Sequence, residues 1–252
     1  MTLFRAEFHV HTVLSPCAEV EMIPPLIIST AQEMGINLIS ITDHNSIANV
    51  EAVLNAAIGS GITILPGMEL QTREEVHLLC IFDDLQALVD LDQLVRQKLP
   101  DLKNRPEYFG EQFIVDSTGE FLAREDRLLI SSADLGFDEA VKAVRQRSGL
   151  AIPAHVNRQA YGLIANLGMI PENVPIDALE ISRNLKLEEA VNQYPGIISY
   201  PLLLGGDVHR LDEFMGANWF EMNEASIHEI RKALHHKDGR SYKIDETIHE
   251  NK

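Results

Sequence analysis

Short runs of β-branched and aliphatic residues alternate with helix-like stretches along this chain, and that alternation limits the fold more than any other feature. Leu3 to Val10, Leu38 to Thr42, Ile62 to Leu65 and His77 to Phe82 read as strands. Pro24 to Met34 and Ser46 to Ala57 read as helices between them. The prolines suit a first helical turn and Gly35 a helix end. Strands separated by helices build βα units and a mainly parallel sheet. The pattern returns later as helices Phe137 to Arg147, Leu185 to Gln193 and Ser226 to His236. The strands there are Leu150 to Ala154, Ala178 to Ile181, Leu202 to Leu204 and Trp219 to Met222. Residues 84–135 interrupt it with an acidic helix, then two apolar runs around Asp116-Ser117-Thr118-Gly119 that read as a hairpin. This insertion is expected to cover one end of the sheet. One domain is expected over residues 1–240, then a polar tail over 241–252.

Six of the ten histidines (His9, His11, His44, His77, His155 and His209) stand at ends or edges of these strands. One histidine in a strand is usually a satisfied core or surface residue, but the joint pattern is informative. His9-Val10-His11 places two imidazoles on one face of a strand, where both reach one cation. Asp207-Val208-His209 repeats the spacing after Gly205-Gly206. Thr42-Asp43-His44-Asn45, Pro66-Gly67-Met68-Glu69 and Ala154-His155 each put ionisable groups just past a strand. In a parallel α/β barrel such ends converge on one site. His77 is the exception, because it opens its strand. Neutral imidazole with carboxylate suits Zn²⁺, Mn²⁺ or Fe²⁺. So many donors exceed the needs of one tetrahedral ion, which implies a multinuclear site.

Composition narrows the function classes. Lys plus Arg number 21 against 38 Asp plus Glu, a net charge of −17, which argues against a long nucleic-acid partner. Cys17 and Cys80 form no CxxC pair, so neither a disulfide scaffold nor a Cys-based zinc finger is expected. No apolar run reaches 18 residues, so no membrane span is expected. The opening residues lack a basic region followed by an apolar one, and the expected location is cytoplasmic.

Taken in order, His9-Val10-His11-Thr12, Thr42-Asp43-His44-Asn45, Glu69, His77, Pro153-Ala154-His155 and Gly205-Gly206-Asp207-Val208-His209 resemble the polymerase and histidinol phosphatase (PHP) family of metal-dependent phosphoesterases, from His9 to about Phe220. The resemblance implies an α/β fold, a distorted (β/α)7 TIM-like barrel with the insertion around 84–135. It implies two or three divalent transition metals (Zn, Mn or Fe) at the carboxyl ends of the strands. His9, His11, Glu69 and Asp207 would hold one ion. Glu69 would bridge to a second, held also by His77 and His155, and His44 and His209 would hold a third. Many family members carry an Asp or His five residues after the second His of the pair. Here Pro16 stands at that place, with Cys17, Glu19 or Glu21 as candidate substitutes, so two metals remain an alternative to three.

The chemistry expected is hydrolysis of a phosphate ester by a hydroxide shared between metals. Neither a Gly-x-Ser-x-Gly elbow nor a GxxxxGK[ST] loop is present, so a serine triad and a P-loop have no support. Arg158, Arg183 and Arg210 follow motif-bearing strands and are expected to grip phosphate. His209 or Asp43 is expected to pass a proton to the leaving oxygen; Asp43 points away from its neighbour on the strand, which favours a supporting role behind the ligands instead. Tyr161 and Tyr108 read as packing or surface aromatics. A small phosphorylated metabolite or nucleotide is the expected substrate. The alternatives are exonuclease-like action on oligonucleotide ends, a non-catalytic metal-binding module, or an amidohydrolase. The last lacks a clear counterpart of its bridging lysine near Glu69.

Overall fold

A computed structural model describes residues 1–247; the end of the expected tail, with His249, lies outside the described residues. In chain order the elements are β1 (Thr2–Val10), α1 (Pro24–Glu33), β2 (Leu38–Ile41), α2 (Val50–Ala56), β3 (Thr63–Gln71), β4 (His77–Ile81), α3 (Leu85–Lys98), α4 (Pro106–Phe109), β5 (Phe113–Val115) and β6 (Phe121–Arg124). There follow α5 (Phe137–Gln146), β7 (Leu150–Pro153), α6 (Leu163–Leu167), β8 (Leu179–Ser182), α7 (Leu187–Gln193), β9 (Leu202–Gly205), β10 (Asn218–Met222), α8 (Ile227–Leu234) and β11 (Ser241–Ile244).

Seven strands pair in the order β11-β10-β1-β2-β3-β4-β7, and β8 pairs with β9. Backbone hydrogen bonds join the two sheets. Asp177 N to Ala151 O and Val156 N to Glu180 O, both 2.9 Å, tie β7 to β8. Val208 N to His9 O (2.9 Å) and His11 N to Val208 O (3.0 Å) tie the end of β9 to β1. The strands β1-β2-β3-β4-β7-β8-β9 therefore curl into the expected distorted barrel, and β10 and β11 extend the sheet beside β1.

The sheet is less parallel than expected. Among the described residues the strand pairs β1/β2, β2/β3 and β8/β9 run parallel, and a parallel bridge from Val10 to Val208 joins the end of β9 to β1. β4 is antiparallel to both its neighbours. The cause is local: a short turn, closed by Thr72 N to Val76 O at 2.9 Å, joins β3 to β4 with no helix between them, and a connection that short reverses the chain. The reversal accounts for His77. Because Gln71 pairs with His77, the first residue of β4 lies at the same end of the barrel as the last residue of β3.

Burial divides the apolar side chains into two sets. Phe8, Leu38, Leu65, Leu79, Ile152 and Leu203 come from six different strands into one cluster, with Ile227, Ile230 and Leu234 of α8 packed against it. A larger cluster carries Ile39, Ile41, Met68, Leu78 and Leu204 together with apolar residues of α1, α2, α3 and α5. Alternation along the strands thus assigns one face to each cluster. The insertion lies on the loop that follows β1. Phe113 N donates to Val13 O (3.1 Å), and Asn49 bonds both Phe113 O and Val115 N at 3.0 Å.

The segment expected to be a polar tail instead opens as a strand. β11 pairs antiparallel with β10, and Arg240 donates to both carboxylate oxygens of the buried Glu229 on α8, at 2.8 and 3.0 Å. Polar residues suit a sheet edge, so their polarity gave no sign of pairing. Arg240 and the Asn223 backbone amide hold the Glu229 carboxyl down at about 2. A lowered carboxyl contributes stability above its ordinary range and loses it as pH falls toward the lowered value. Glu229→Gln is therefore expected to lower the urea midpoint at pH 7. The gap from the unsubstituted chain should close as pH falls from about 4.5 toward 2, as read by denaturation at several pH values.

Candidate metal centre

The carboxyl ends of the parallel strands meet the start of β4 at one end of the barrel. β1 supplies His9, with His11 just past its end; Asp43 and His44 follow β2; His155 follows β7; Asp207 and His209 follow β9. Glu69 lies inside β3 rather than after it. A parallel bridge between His44 and Glu69 sets these two side by side. The eight residues expected to bind metal are thus brought together. Seven of them are buried, and the His209 side chain is 20% exposed.

Glu69 is the hub. Its Oε1 lies 3.1 Å from His9 Nε2, 2.8 Å from His77 Nδ1 and 3.3 Å from His155 Nε2. Its Oε2 lies 2.9 Å from His44 Nδ1 and 3.4 Å from His11 Nε2. Asp207 Oδ1 faces His9 Nε2 at 3.2 Å, and His11 Nε2 and His209 Nδ1 at 3.4 Å. Three sets of donor atoms lie within 4.8 Å of one another: His9-His11-Glu69, His44-Glu69-His77 and His11-His44-His209. His44 belongs to two of them, whereas the family-based grouping paired it with His209 alone.

Side chains behind the cluster fix which ring nitrogen faces inward. Glu180 Oε1 accepts from His9 Nδ1 at 2.9 Å and from the His155 amide at 3.0 Å. Ser15 Oγ donates to Asp43 Oδ1 at 2.7 Å, so its lone pairs accept from His11 Nδ1 at 2.9 Å. Both contacts leave Nε2 of His9 and His11 with a lone pair toward the cluster, the arrangement seen when a carboxylate or hydroxyl orients a metal-binding imidazole. Glu7 accepts from the amides of Gly206, Met215 and Gly216 at 3.0–3.1 Å, which fixes the loop carrying Asp207. Gly205 lets that loop approach Glu180, since a Cβ there would sit 2.1 Å from Glu180 Cδ. His155 (φ +31°) and Asp207 (φ +45°) both adopt left-handed backbone, at a cost of about 1–3 kcal/mol each that the surrounding structure must hold.

Several expected roles change. Asp43 does not face the cluster as a proton donor: its oxygens accept from Thr12 N, Thr12 Oγ1 and Ser15 Oγ, each at 2.7 Å, and it is fully buried. It holds the loop after β1, the supporting role that its direction on the strand implies. Arg158 does reach the site, donating to Asp207 Oδ2 at 2.6 Å. Arg183 is held by Gly206 O and Glu213. Arg210 pairs with Glu19 on the exposed surface, so neither is aimed at the cluster. Tyr161 stacks on His77 with ring centroids 4.4 Å apart, while Tyr108 is exposed beside Arg105. Sequence reasoning missed Glu7 and Glu180. Their signal was a lone acid inside a run of apolar strand residues, a placement too costly to keep without partners.

The electrostatics fit a cation site. Burial disfavours charge on every group here. Even so, Glu180, Glu69 and Asp207 hold the His9 imidazole well above its usual range, and Cys17 and Glu69 do the same for His44. Against burial, the facing imidazoles hold Glu69 and Asp207 well below the carboxylate range. Burial, ahead of neighbouring imidazoles, pushes His11 well down and His77 down to about 4. The Cys17 thiol is raised by burial but lowered more by His44 and His209, to about 6. Among the described residues nine buried side-chain polar atoms have no hydrogen-bond partner, and six belong to His9, His11, His44, Glu69, His77 and His155. Nitrogen lone pairs and carboxylate oxygens facing each other this closely need protons or cations between them. Divalent ions of the zinc, manganese or iron type match these donors.

Fold and site together define a metal-binding α/β barrel. The PHP domain model matches residues 7–163, and the chain belongs to the PHP domain family; Asp207 and His209 lie beyond the matched span. Among solved structures, the lesion-specific endonuclease PfuEndoQ from Pyrococcus furiosus is similar, at TM-score 0.74 and 20% identity over 96% of this chain and 58% of that chain. Endonuclease Q in complex with a 27-mer duplex carrying an abasic lesion at the active site gives TM-score 0.68 and 19% identity over 95% of this chain and 58% of that chain. A two-domain protein from Bacteroides vulgatus, containing a predicted PHP-like metal-dependent phosphoesterase, gives 0.51 and 15% over 97% of this chain and 65% of that chain. The chain thus spans under two thirds of the Endonuclease Q chains. Among curated proteins no match is found. No helix among the described residues is long and apolar enough to cross a membrane.

If Glu180 orients His9, then Glu180→Gln weakens zinc binding by roughly tenfold to a hundredfold with little change in far-ultraviolet circular dichroism. Gly205→Ala, which drives a methyl into the Glu180 side chain, is expected to act in the same direction. Competition against a coloured chelator measures both; unchanged affinity in Glu180→Gln would reject the orienting role.

Proposed function

We propose that this chain hydrolyses phosphate esters of a small metabolite or nucleotide at a centre of two or three divalent transition metals. The donors are His9, His11, His44, Glu69, His77, His155, Asp207 and His209. The observation that carries the reading is the convergence of five imidazoles on the two oxygens of one buried carboxylate, Glu69. Divalent ions supply Lewis acidity toward a phosphoryl oxygen and make water nucleophilic at neutral pH.

The protein's own groups have separate tasks in this reading. Asp207 offers one oxygen to the cluster and the other to Arg158. The Arg158 side chain is 31% exposed, so its guanidinium stands at the rim, where it would meet a substrate phosphate. His209 is the most open of the six imidazoles and is the candidate to return a proton to the leaving oxygen. Glu180, Ser15 and Asp43 keep His9 and His11 turned inward. A cytosolic setting suits two free cysteines, Cys17 and Cys80.

A second reading has a specific observation behind it. The likeness to Endonuclease Q bound to a DNA duplex favours a nucleic-acid phosphodiester as substrate. Net charge of −17 weighs against long-range attraction to a polyanion, but it does not forbid a local basic approach to the metals.

The test is phosphate release across phosphorylated metabolites and mononucleotides, run beside cleavage of end-labelled single strands, duplexes and abasic duplexes. Zinc- or manganese-loaded protein should turn over one class. A strong chelator should abolish turnover, and His9→Ala should lower it by about a thousandfold or more (~4 kcal/mol) in a folded chain. Oligonucleotide cleavage without phosphate release from small substrates would favour the second reading. Metal-loaded protein inactive on every ester would reject both.

A further inference from the structure

We propose that Cys17 is itself a metal ligand, completing with His44 and His209 a sulfur-containing site beside the Glu69-centred cluster. The proposal rests on the reading that the cluster holds metals. The loop after β1 is pinned on both sides of the cysteine. Before it, Ser15 Oγ donates to Asp43 and accepts from the His44 amide at 3.2 Å. The Pro16 carbonyl lies so close to Gly110 that a Cβ there would stand 2.1 Å from its oxygen. After it, the Glu19 amide donates to His209 O at 2.9 Å. The thiol therefore has little choice of direction.

That direction is into the histidines. Cys17 Sγ lies 3.0 Å from His209 Nε2. Two ligands of one tetrahedral zinc, with Zn–S of about 2.3 Å and Zn–N of about 2.0 Å, stand roughly 3.5 Å apart, so a small opening of this contact admits an ion. The third donor is at hand. His44 is buried between the two sites, its Nδ1 2.9 Å from Glu69 Oε2 and its imidazole also hydrogen-bonded to the Cys17 thiol, and His11 Nε2 is buried without a hydrogen-bond partner. The donor atoms of His11, His44 and His209 lie within 4.8 Å of one another. Pro16 carries no donor atom, and Glu19 is turned away to Arg210, which leaves the thiol as the group from this loop that faces the histidines. Cys80 is the contrast: it is buried in β4 and its thiol donates to Leu78 O.

The consequence is selectivity. A thiolate is a softer ligand than the carboxylate or imidazole of the other positions, so this site favours Zn²⁺, Fe²⁺ or Co²⁺ over Mn²⁺ or Mg²⁺. Binding there displaces to solvent the proton that lies between the Cys17 sulfur and the histidine nitrogens.

The test uses the full chain loaded with Co²⁺. A sulfur-to-cobalt charge-transfer band in the near ultraviolet is expected, lost in Cys17→Ser and kept in Cys80→Ala. Elemental analysis after zinc loading and gel filtration should show one zinc fewer per chain in Cys17→Ser than in the unsubstituted protein. Cys17→Asp should restore the metal count, with Mn²⁺ now accepted, but not the band. Protein that holds two or more cobalt ions without the band, or keeps the band in Cys17→Ser, overturns this assignment and leaves the Glu69 centre standing. Protein that retains no metal at all overturns both.

Discussion

A carboxylate with almost no solvent, ringed by imidazoles, is the constraint on which the rest of this structure depends. Glu69 cannot be buried as an anion without compensation, and the barrel compensates it with five imidazoles from four separate segments of chain. The imidazoles around it lower the cost of its charge, but by themselves they leave nitrogen lone pairs facing carboxylate oxygens. Divalent ions satisfy all of these donors at once. The barrel end is therefore organised around charge before it is organised around any substrate.

Around that core lies a set of groups whose work is to aim others. Glu180 turns His9 and holds the His155 amide. The Asp43-Ser15-His11 chain turns the second histidine of the pair. Glu7 gathers three amides of the loop that carries Asp207. The left-handed backbone at His155 and Asp207 is kept by these same contacts, since Glu180 bonds the one residue's amide and Glu7 the amide just before the other. Strain at ligand positions is acceptable here because the surroundings over-determine it.

Much of this was legible in the sequence, for identifiable reasons. Strands were readable because buried β-branched runs are, and the ligand residues because imidazoles two apart in a strand share a face. The reversal of β4 was not readable: Thr72-Arg73-Glu74-Glu75 has no glycine, asparagine or proline to mark a tight turn. Glu75 adopts a left-handed φ of +60° there regardless. β11 was hidden because an edge strand is polar. Arg183 and Arg210 fell at the right positions in sequence, but their side chains answer to Glu213 and Glu19, and no spacing rule foretells such pairings. Glu7 and Glu180 were visible as acids in apolar runs, and only the fold supplies their partners.

The bonds from Glu7 to Gly206, Met215 and Gly216 span some two hundred residues. They make the first strand and the last ligand loop a single unit. A ribosome delivers the histidine pair before Asp207 and His209, so a growing chain carries an open, half-built cage while the residues between them are made. Capture of ions in the finished geometry belongs to the closing steps of folding, after the longest-range contacts have formed.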